Sequence, residues 1–198
     1  MKKNNQFIVV GLGNPGAEYE KTRHNTGRIF VEAFRKSHNF PDWEKDQKLN
    51  ALVSEGKIEK AKVTLLLPET MMNNSGKAVA AVLGPTSPKL RGATRVLVVY
   101  DELDLPLGLA KISFNRGSGG HRGLESIIKT LKTREFARMR IGIGKKKKVP
   151  TERVVDFILG KFTPAELAIL KKEEKKVNAA LELWLSRGLA PAMTEFNS

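Results

Sequence analysis

The chain has 198 residues and no cysteine, and its 35 Lys and Arg against 21 Asp and Glu leave a formal net charge of +14 at pH 7. This length suits one globular domain, residues 1–198, and an apolar fraction of 40% excludes a disordered chain. The missing cysteines exclude a disulfide scaffold, a thiolate zinc site, an Fe–S cluster and a cysteine nucleophile. The basic excess draws polyanions, with nucleic acid as the leading partner class and an anionic membrane surface as its competitor. No uncharged apolar run approaches the ~18 residues of a membrane span. The Met1–Lys3 start followed by Phe7–Val10 runs into Gly13-Asn14-Pro15-Gly16 with no cleavage pattern, so the expectation is a soluble, cytoplasmic protein.

Gln6 to Gly13 reads as a buried first strand ending in a glycine loop. Asn25 or Thr26 can cap a helix that carries Ile29, Phe30, Ala33 and Phe34 on one face. Pro41 to Asn50 is polar and reads as irregular, and Ala51–Val53 with Lys57–Glu59 would form a hairpin about Glu55-Gly56. Val63 to Leu67 is a strand stopped at Pro68, and Asn74 or Ser75 caps a helix through Val82 and Leu83. Arg95 to Tyr100 is the strongest strand signal, followed by a strand over Leu109–Phe114 and a glycine loop over Asn115–Gly120. That loop feeds a helix with Leu124, Ile127, Ile128 and Leu131 on one face. Met139–Ile143 is a last strand before the basic tract Lys145–Lys148. A short helix over Glu152–Leu159 precedes a long one over about 164–186, with Pro164 behind the cap Thr163. Strands alternating with helices predict one α/β domain with a twisted, mixed but largely parallel sheet surrounded by helices.

Several residues are candidates for chemistry. Gly11-Leu12-Gly13-Asn14-Pro15-Gly16 has the spacing of a dinucleotide fingerprint, but Pro15 removes an N–H and a helix pattern stands where the second strand should follow. The alternative is a tight turn that lifts Asn14 clear of the sheet edge. His24 sits just before the first helix, near the carboxyl end of a predicted central strand, where open α/β sheets place their sites. A histidine is suited to acid–base work near neutral pH. Asp101 follows the Arg95–Tyr100 strand and could orient His24; alternatively Asp101, Glu102 and Asp104 form a solvated acidic loop or a cation site. Asn73 and Asn74 could donate to an oxyanion or cap the helix behind them. Ser75 is outside a nucleophile-elbow pattern, which disfavours a serine hydrolase. Arg116, His121, Arg122, Arg140 and Lys145–Lys148 offer a phosphate-binding cluster.

These stretches together resemble the bacterial-type peptidyl-tRNA hydrolase family. The matching segments are VVGLGNPGAEYEKTRHNTG (9–27), LLLPETMMNNSGKAV (65–79), VVYDELDLPLG (98–108), GGHRGLESII (119–128) and RMRIGIG (138–144), in family order. The resemblance implies a hydrolase that cleaves the ester joining a peptide to the 3′ ribose of tRNA. It would release free tRNA and peptide from ribosome drop-off products with no metal or organic cofactor. It implies His24 as catalytic base, Asp101 as its supporting carboxylate, and Asn14 as the residue that recognises the peptide side of the ester. It implies substrate or tRNA contacts at Tyr19, Met71, Asn73 and Arg140, with Arg140 on the tRNA 5′-phosphate. It also implies a twisted mixed sheet, with the long C-terminal helix covering the groove. Two departures stand out. Arg122 occupies a position where many members have an asparagine, and could contact the acceptor stem. Ser113 replaces a phosphate-gripping lysine, for which Lys111 or Arg116 could substitute. The expected partner is the acceptor stem and 3′ end of peptidyl-tRNA, with no membrane and a monomeric protein. An RNA-binding relative that has lost hydrolysis and acts as a scaffold is the alternative.

Overall fold

The structure, a computed structural model, describes residues 6–84, 95–145, 147 and 149–198. The central strand β1 (Gln6–Gly11) is followed in the chain by β2 (Glu44–Asp46), β3 (Ala51–Ile58) and β4 (Ala61–Pro68). After them come β5 (Val96–Pro106), β6 (Ala110–Phe114) and β7 (Ala137–Gly144). Among the described residues they form one 7-stranded sheet in the order β2-β3-β4-β1-β5-β7-β6. The four middle strands are parallel, and both edges are antiparallel. This is the mixed, largely parallel α/β sheet that the alternating pattern predicts.

The helices are α1 (Thr26–Ser37), α2 (Ser75–Leu83), α3 (Arg122–Leu131), α4 (Val154–Leu159), α5 (Pro164–Arg187) and α6 (Leu189–Asn197). Successive strand residues point to opposite faces. Val9, Leu97 and Val99 therefore join Phe30 and Phe34 of α1 with Leu181 and Trp184 of α5 in one core. Val10 and Val98 join Val79 of α2 with Leu124 and Ile127 of α3 in the other. Strands buried on both faces need apolar residues at every position, which explains the unbroken FIVV and VLVV runs. The α5 start is a capping box: Glu166 N donates to Thr163 Oγ1, and Thr163 N donates to the Glu166 carboxylate. The exposed edge of β6 is blunted by Asn197, whose side-chain amide exchanges two 2.8 Å hydrogen bonds with the Ile112 backbone. No helix among the described residues is long and apolar enough to cross a membrane.

Several local expectations are corrected. Ala51–Ile58 is one strand, not a hairpin about Gly56; the turn falls at Glu59-Lys60, with Glu59 at a φ of 52°. Gly56 is there for packing, since a Cβ would lie 2.7 Å from the Phe40 ring. The polar 41–50 segment contains β2, an edge strand that has little to bury and so shows no apolar pattern. β5 runs on to Pro106, because pairing with β7 continues through Glu102 despite the polar sequence. The basic tract is described only in part, its residues 146 and 148 lying outside the described residues.

Glu32 on α1 accepts from Arg35 and from Trp43 Nε1 and pairs with Lys36 at 3.0 Å. Burial alone would raise its pKa, but the donors Arg35, Lys36 and Trp43 and the Arg35 charge lower it to about 2. A carboxyl depressed in the folded state stabilises above its unfolded pKa, near ~4.3, and loses that contribution as pH falls toward the folded value. Glu32→Gln should therefore lower stability at pH 7 by about 1 kcal/mol, a figure reduced for solvent screening of this partly exposed group. Urea denaturation of the two proteins should converge as pH approaches 2.

Candidate active site

The site is assembled by a close approach of backbone. Leu12 N donates to Val99 O at 3.0 Å, carrying the chain from β1 along the end of β5. At Gly27 a Cβ would lie 2.2 Å from Val99 O and 2.5 Å from Leu12 N, so glycine lets the first turn of α1 press onto both strand ends. The preceding 3₁₀ turn, Arg23–Asn25, is thereby held above the carboxyl ends of β1 and β5. Its other side is laced to the segment after α4: Arg23 N donates to Gly160 O at 3.1 Å, and Phe162 N to Lys21 O at 2.9 Å. The buried Arg23 guanidinium bonds both Glu166 oxygens at 3.0 and 2.8 Å and lies 4.6 Å from the Phe157 ring centroid.

His24, next in that turn, places Nδ1 3.0 Å from each oxygen of Asp101. Both side chains are buried. His121, the cap of α3, reaches Asp101 Oδ1 with Nε2 at 2.9 Å and accepts from Leu124 N at Nδ1 at 3.3 Å. An ionised carboxylate only accepts, so both nitrogens that face it carry protons. Neutral His24 is then the Nδ1–H tautomer with the Nε2 lone pair free, and neutral His121 is the Nε2–H tautomer. Burial alone would raise the Asp101 pKa, but the attraction it would feel from either ring once protonated, with the hydrogen bonds both rings donate, outweighs it and holds the carboxyl below the usual range. The atoms of His24, Asp101 and His121 lie within 4.8 Å of one another, close enough to share a metal. In this hydrogen-bonded arrangement Leu124 N–H occupies Nδ1 of His121 and the nitrogens facing Asp101 hold protons, which leaves the outward Nε2 of His24 as the ring lone pair on offer.

Asn14 stands beside this network. Asn25 brackets its backbone, accepting from Asn14 N at 2.8 Å and donating to Asn14 O at 2.9 Å. Asn25 is therefore spent on the loop, and its side chain makes no cap bond to α1. Asn14 Oδ1 accepts from Met72 N at 2.8 Å, which ties the loop after β1 to the loop after β4. Among the described residues nothing bonds Asn14 Nδ2. A cleft of about 220 Å³ brings together Asn14, Tyr19, His24, Met71, Asn73 and Arg122. Val155, Ile158 and Leu159 of α4 form its apolar rim, with Val155 52% and Met71 46% exposed. The cleft wall is thus α4 and not the long helix α5, which is committed to the core through Leu170, Val177, Leu181 and Trp184.

Lys111 and Arg140 do not line this cleft. They are register partners on β6 and β7, and Arg140 in turn lies beside Tyr100 on β5. Glu102 is no cation site, since it accepts from Arg140 Nε at 3.0 Å and from Tyr100 OH at 3.1 Å. Ser75 is fully buried and donates to Met72 O, so it is no nucleophile. His121 belongs to the Asp101 network rather than to a phosphate cluster. The residue types had offered no sign of this, because its partner is 20 positions away. Arg138 was also missed: fully buried, it donates to Arg116 O and Gly117 O and so fastens the glycine loop that leads to His121.

The arrangement can offer a proton acceptor to a water and amide donors to a carbonyl. It defines an α/β protein with a histidine–carboxylate site suited to hydrolysis. A family model described as peptidyl-tRNA hydrolase matches residues 8–198. A peptidyl-tRNA hydrolase from Carboxydothermus hydrogenoformans is 43% identical over 191 residues, covering 96% of this chain and 98% of its own length. One from Herpetosiphon aurantiacus is 41% identical over 193 residues, covering 96% of this chain and 90% of its own. The crystal structure of peptidyl-tRNA hydrolase from Acinetobacter baumannii matches with a TM-score of 0.86 at 34% identity, covering 100% of this chain and 97% of that one. The chain belongs to the peptidyl-tRNA hydrolase family.

Removing Glu166 should unsettle the His24 turn. Glu166→Ala deletes the α5 capping box and leaves the Arg23 charge buried without its partner. The expected cost is about 2–4 kcal/mol in urea denaturation, more than a surface ion pair would give.

Proposed function

We propose that this chain hydrolyses the ester between a peptide and the 3′ ribose of tRNA, with His24 as general base. The observation that carries the reading is the free Nε2 of His24 at the cleft, with Nδ1 held by a buried carboxylate. Water attacks the ester carbonyl as Nε2 takes its proton. Asp101, kept ionised, offsets the imidazolium charge as it forms, and His121 holds the carboxylate in place. Asn14 Nδ2 and the Asn73 amide donate to the carbonyl and to the oxyanion that grows on it. The imidazolium then returns the proton to the departing 3′ oxygen, leaving a peptide carboxylic acid and a free tRNA hydroxyl. Every proton is accounted for by His24, and no step calls for a metal.

Arg122, at the cleft mouth, meets the phosphates nearest the ester. Lys111 and Arg140 meet the acceptor stem further along, and Tyr19 and Met71 offer surfaces against which the 3′ end packs. On this reading the protein works as a single-domain monomer in the cytoplasm. An RNA-binding scaffold without hydrolysis would have no use for the His24–Asp101–His121 network, which is intact here, and is not favoured.

His24→Ala should lower kcat by about 10²–10⁴ while tRNA affinity stays near normal, read as peptide release from peptidyl-tRNA with chelator present. Asp101→Asn should cost less, since it removes support rather than the base. Unchanged turnover in His24→Ala would remove the histidine from the mechanism.

Binding should weaken with salt through counterion release. Lys111→Ala and Arg140→Ala should each flatten the slope of log affinity against log salt by about 0.7–0.9. A slope unchanged in both variants would place the acceptor stem elsewhere.

A further inference from the structure

Asn14 is a wall shared by two clefts. One holds His24, and the other, of about 420 Å³, opens on the far side of Asn14. Its floor is Trp43, Leu52 and Leu67, and its rim carries Glu20, Arg28 and Glu69. The reaction proposed above uses none of these six residues.

The second cleft is chemically unlike the phosphate-facing side. Arg28 is already engaged, donating from NH1 to Pro68 O and from NH2 to Glu69 Oε1, both at 2.8 Å. Glu32, also on its wall, is saturated by Arg35, Lys36 and Trp43. Glu20 stands exposed on the rim. On a chain of net charge +14, this concavity therefore offers apolar surface and carboxylates, and no cation left over for a phosphate.

We propose that this second cleft is a subsite for the peptide residues that precede the esterified one, and that it favours apolar or cationic side chains over acidic ones. The inference rests on the peptidyl-tRNA hydrolase reading. With the ester carbonyl at His24 Nε2 and the ribose on the Arg122 side, the peptide leaves past Asn14, whose free Nδ2 faces the carbonyl. The next residues then meet the Trp43–Leu52–Leu67 floor and the Glu20 rim. A tRNA phosphate is repelled from the same place, so the two ends of the substrate are sorted by charge across one asparagine.

The test compares kcat/KM for four substrates: N-acetyl-Ala-tRNA, which ends before the cleft, and N-acetyl-Leu-Ala-, N-acetyl-Lys-Ala- and N-acetyl-Glu-Ala-tRNA. The Leu and Lys substrates should exceed the Glu substrate by about twofold to fivefold, as expected for one partly screened charge contact. Glu20→Gln, an exposed substitution that leaves the core intact, should bring the Lys and Glu substrates to about equal rates, and Glu69→Gln should narrow the ratio. Neither should change the rate with N-acetyl-Ala-tRNA. Equal rates for all three dipeptides in the unmodified protein, or a ratio that neither variant moves, overturns the subsite while leaving the hydrolase reading standing. No release from N-acetyl-Ala-tRNA overturns the hydrolase reading itself and the subsite with it.

Discussion

The site depends on one buried carboxylate shared by two imidazoles. Asp101 sits in a low-dielectric setting where an unpartnered charge would be costly. His24 and His121 make that charge tolerable, and in doing so they lose their own tautomeric freedom. Leu124 N–H settles which nitrogen of His121 holds the proton, Asp101 settles which nitrogen of His24 does, and one lone pair is left facing the cleft. The network is satisfied with both rings neutral. An ester-cleaving centre needs this starting state, because a base that is already protonated cannot accept from water.

Holding that state is the work of the surrounding fold. A side chain at Gly27 would push α1 off the strand ends, and His24 would rise with it. From the other direction, the Arg23–Glu166 pair and the backbone bonds to Gly160 and Lys21 draw the turn against the α4–α5 junction. Glu166 therefore serves two purposes, ending the α5 backbone properly and anchoring the turn that carries His24. Arg138 plays the matching part below His121, pinning the glycine loop from inside the sheet.

Much of this was legible in the chain itself. Continuous apolar runs at Phe7–Val10 and Val96–Val99 announced strands covered on both faces, and Thr163-Pro164 announced the start of α5. His24, Asp101, Asn14 and Asn73 were readable as candidates because strand ends are where α/β sheets place their chemistry. The failures share a cause. Gly56 looked like a turn because a glycine needed for a neighbouring ring and a glycine needed for a turn are the same letter. Asp101 to Asp104 could pass for an acidic loop because the polarity of Glu102 is matched across strands by Arg140, not along the chain. Asn25 looked like a helix cap because its use in bracketing Asn14 spans 11 positions. His121 was read into a phosphate cluster and Arg138 was not singled out, since the meaning of both lies in long-range contacts.

Charge distribution is where the overall composition and the site meet. A strongly basic chain attracts nucleic acid indiscriminately, so the site must add discrimination near the ester. On the proposed reading, cations on the sheet edge and at the cleft mouth draw the polyanion from one side. On the other side Arg28 is neutralised by Glu69, and Glu20 faces solvent, so that cleft presents carboxylate and apolar surface instead. If both clefts bind as proposed, a substrate with a polyanion at one end and a peptide at the other is oriented by this contrast before any catalytic group acts. A general base at His24, as proposed, then needs to serve a single approach direction. That requirement is consistent with a free Nε2 presented at the wall of a narrow cleft rather than on an open surface.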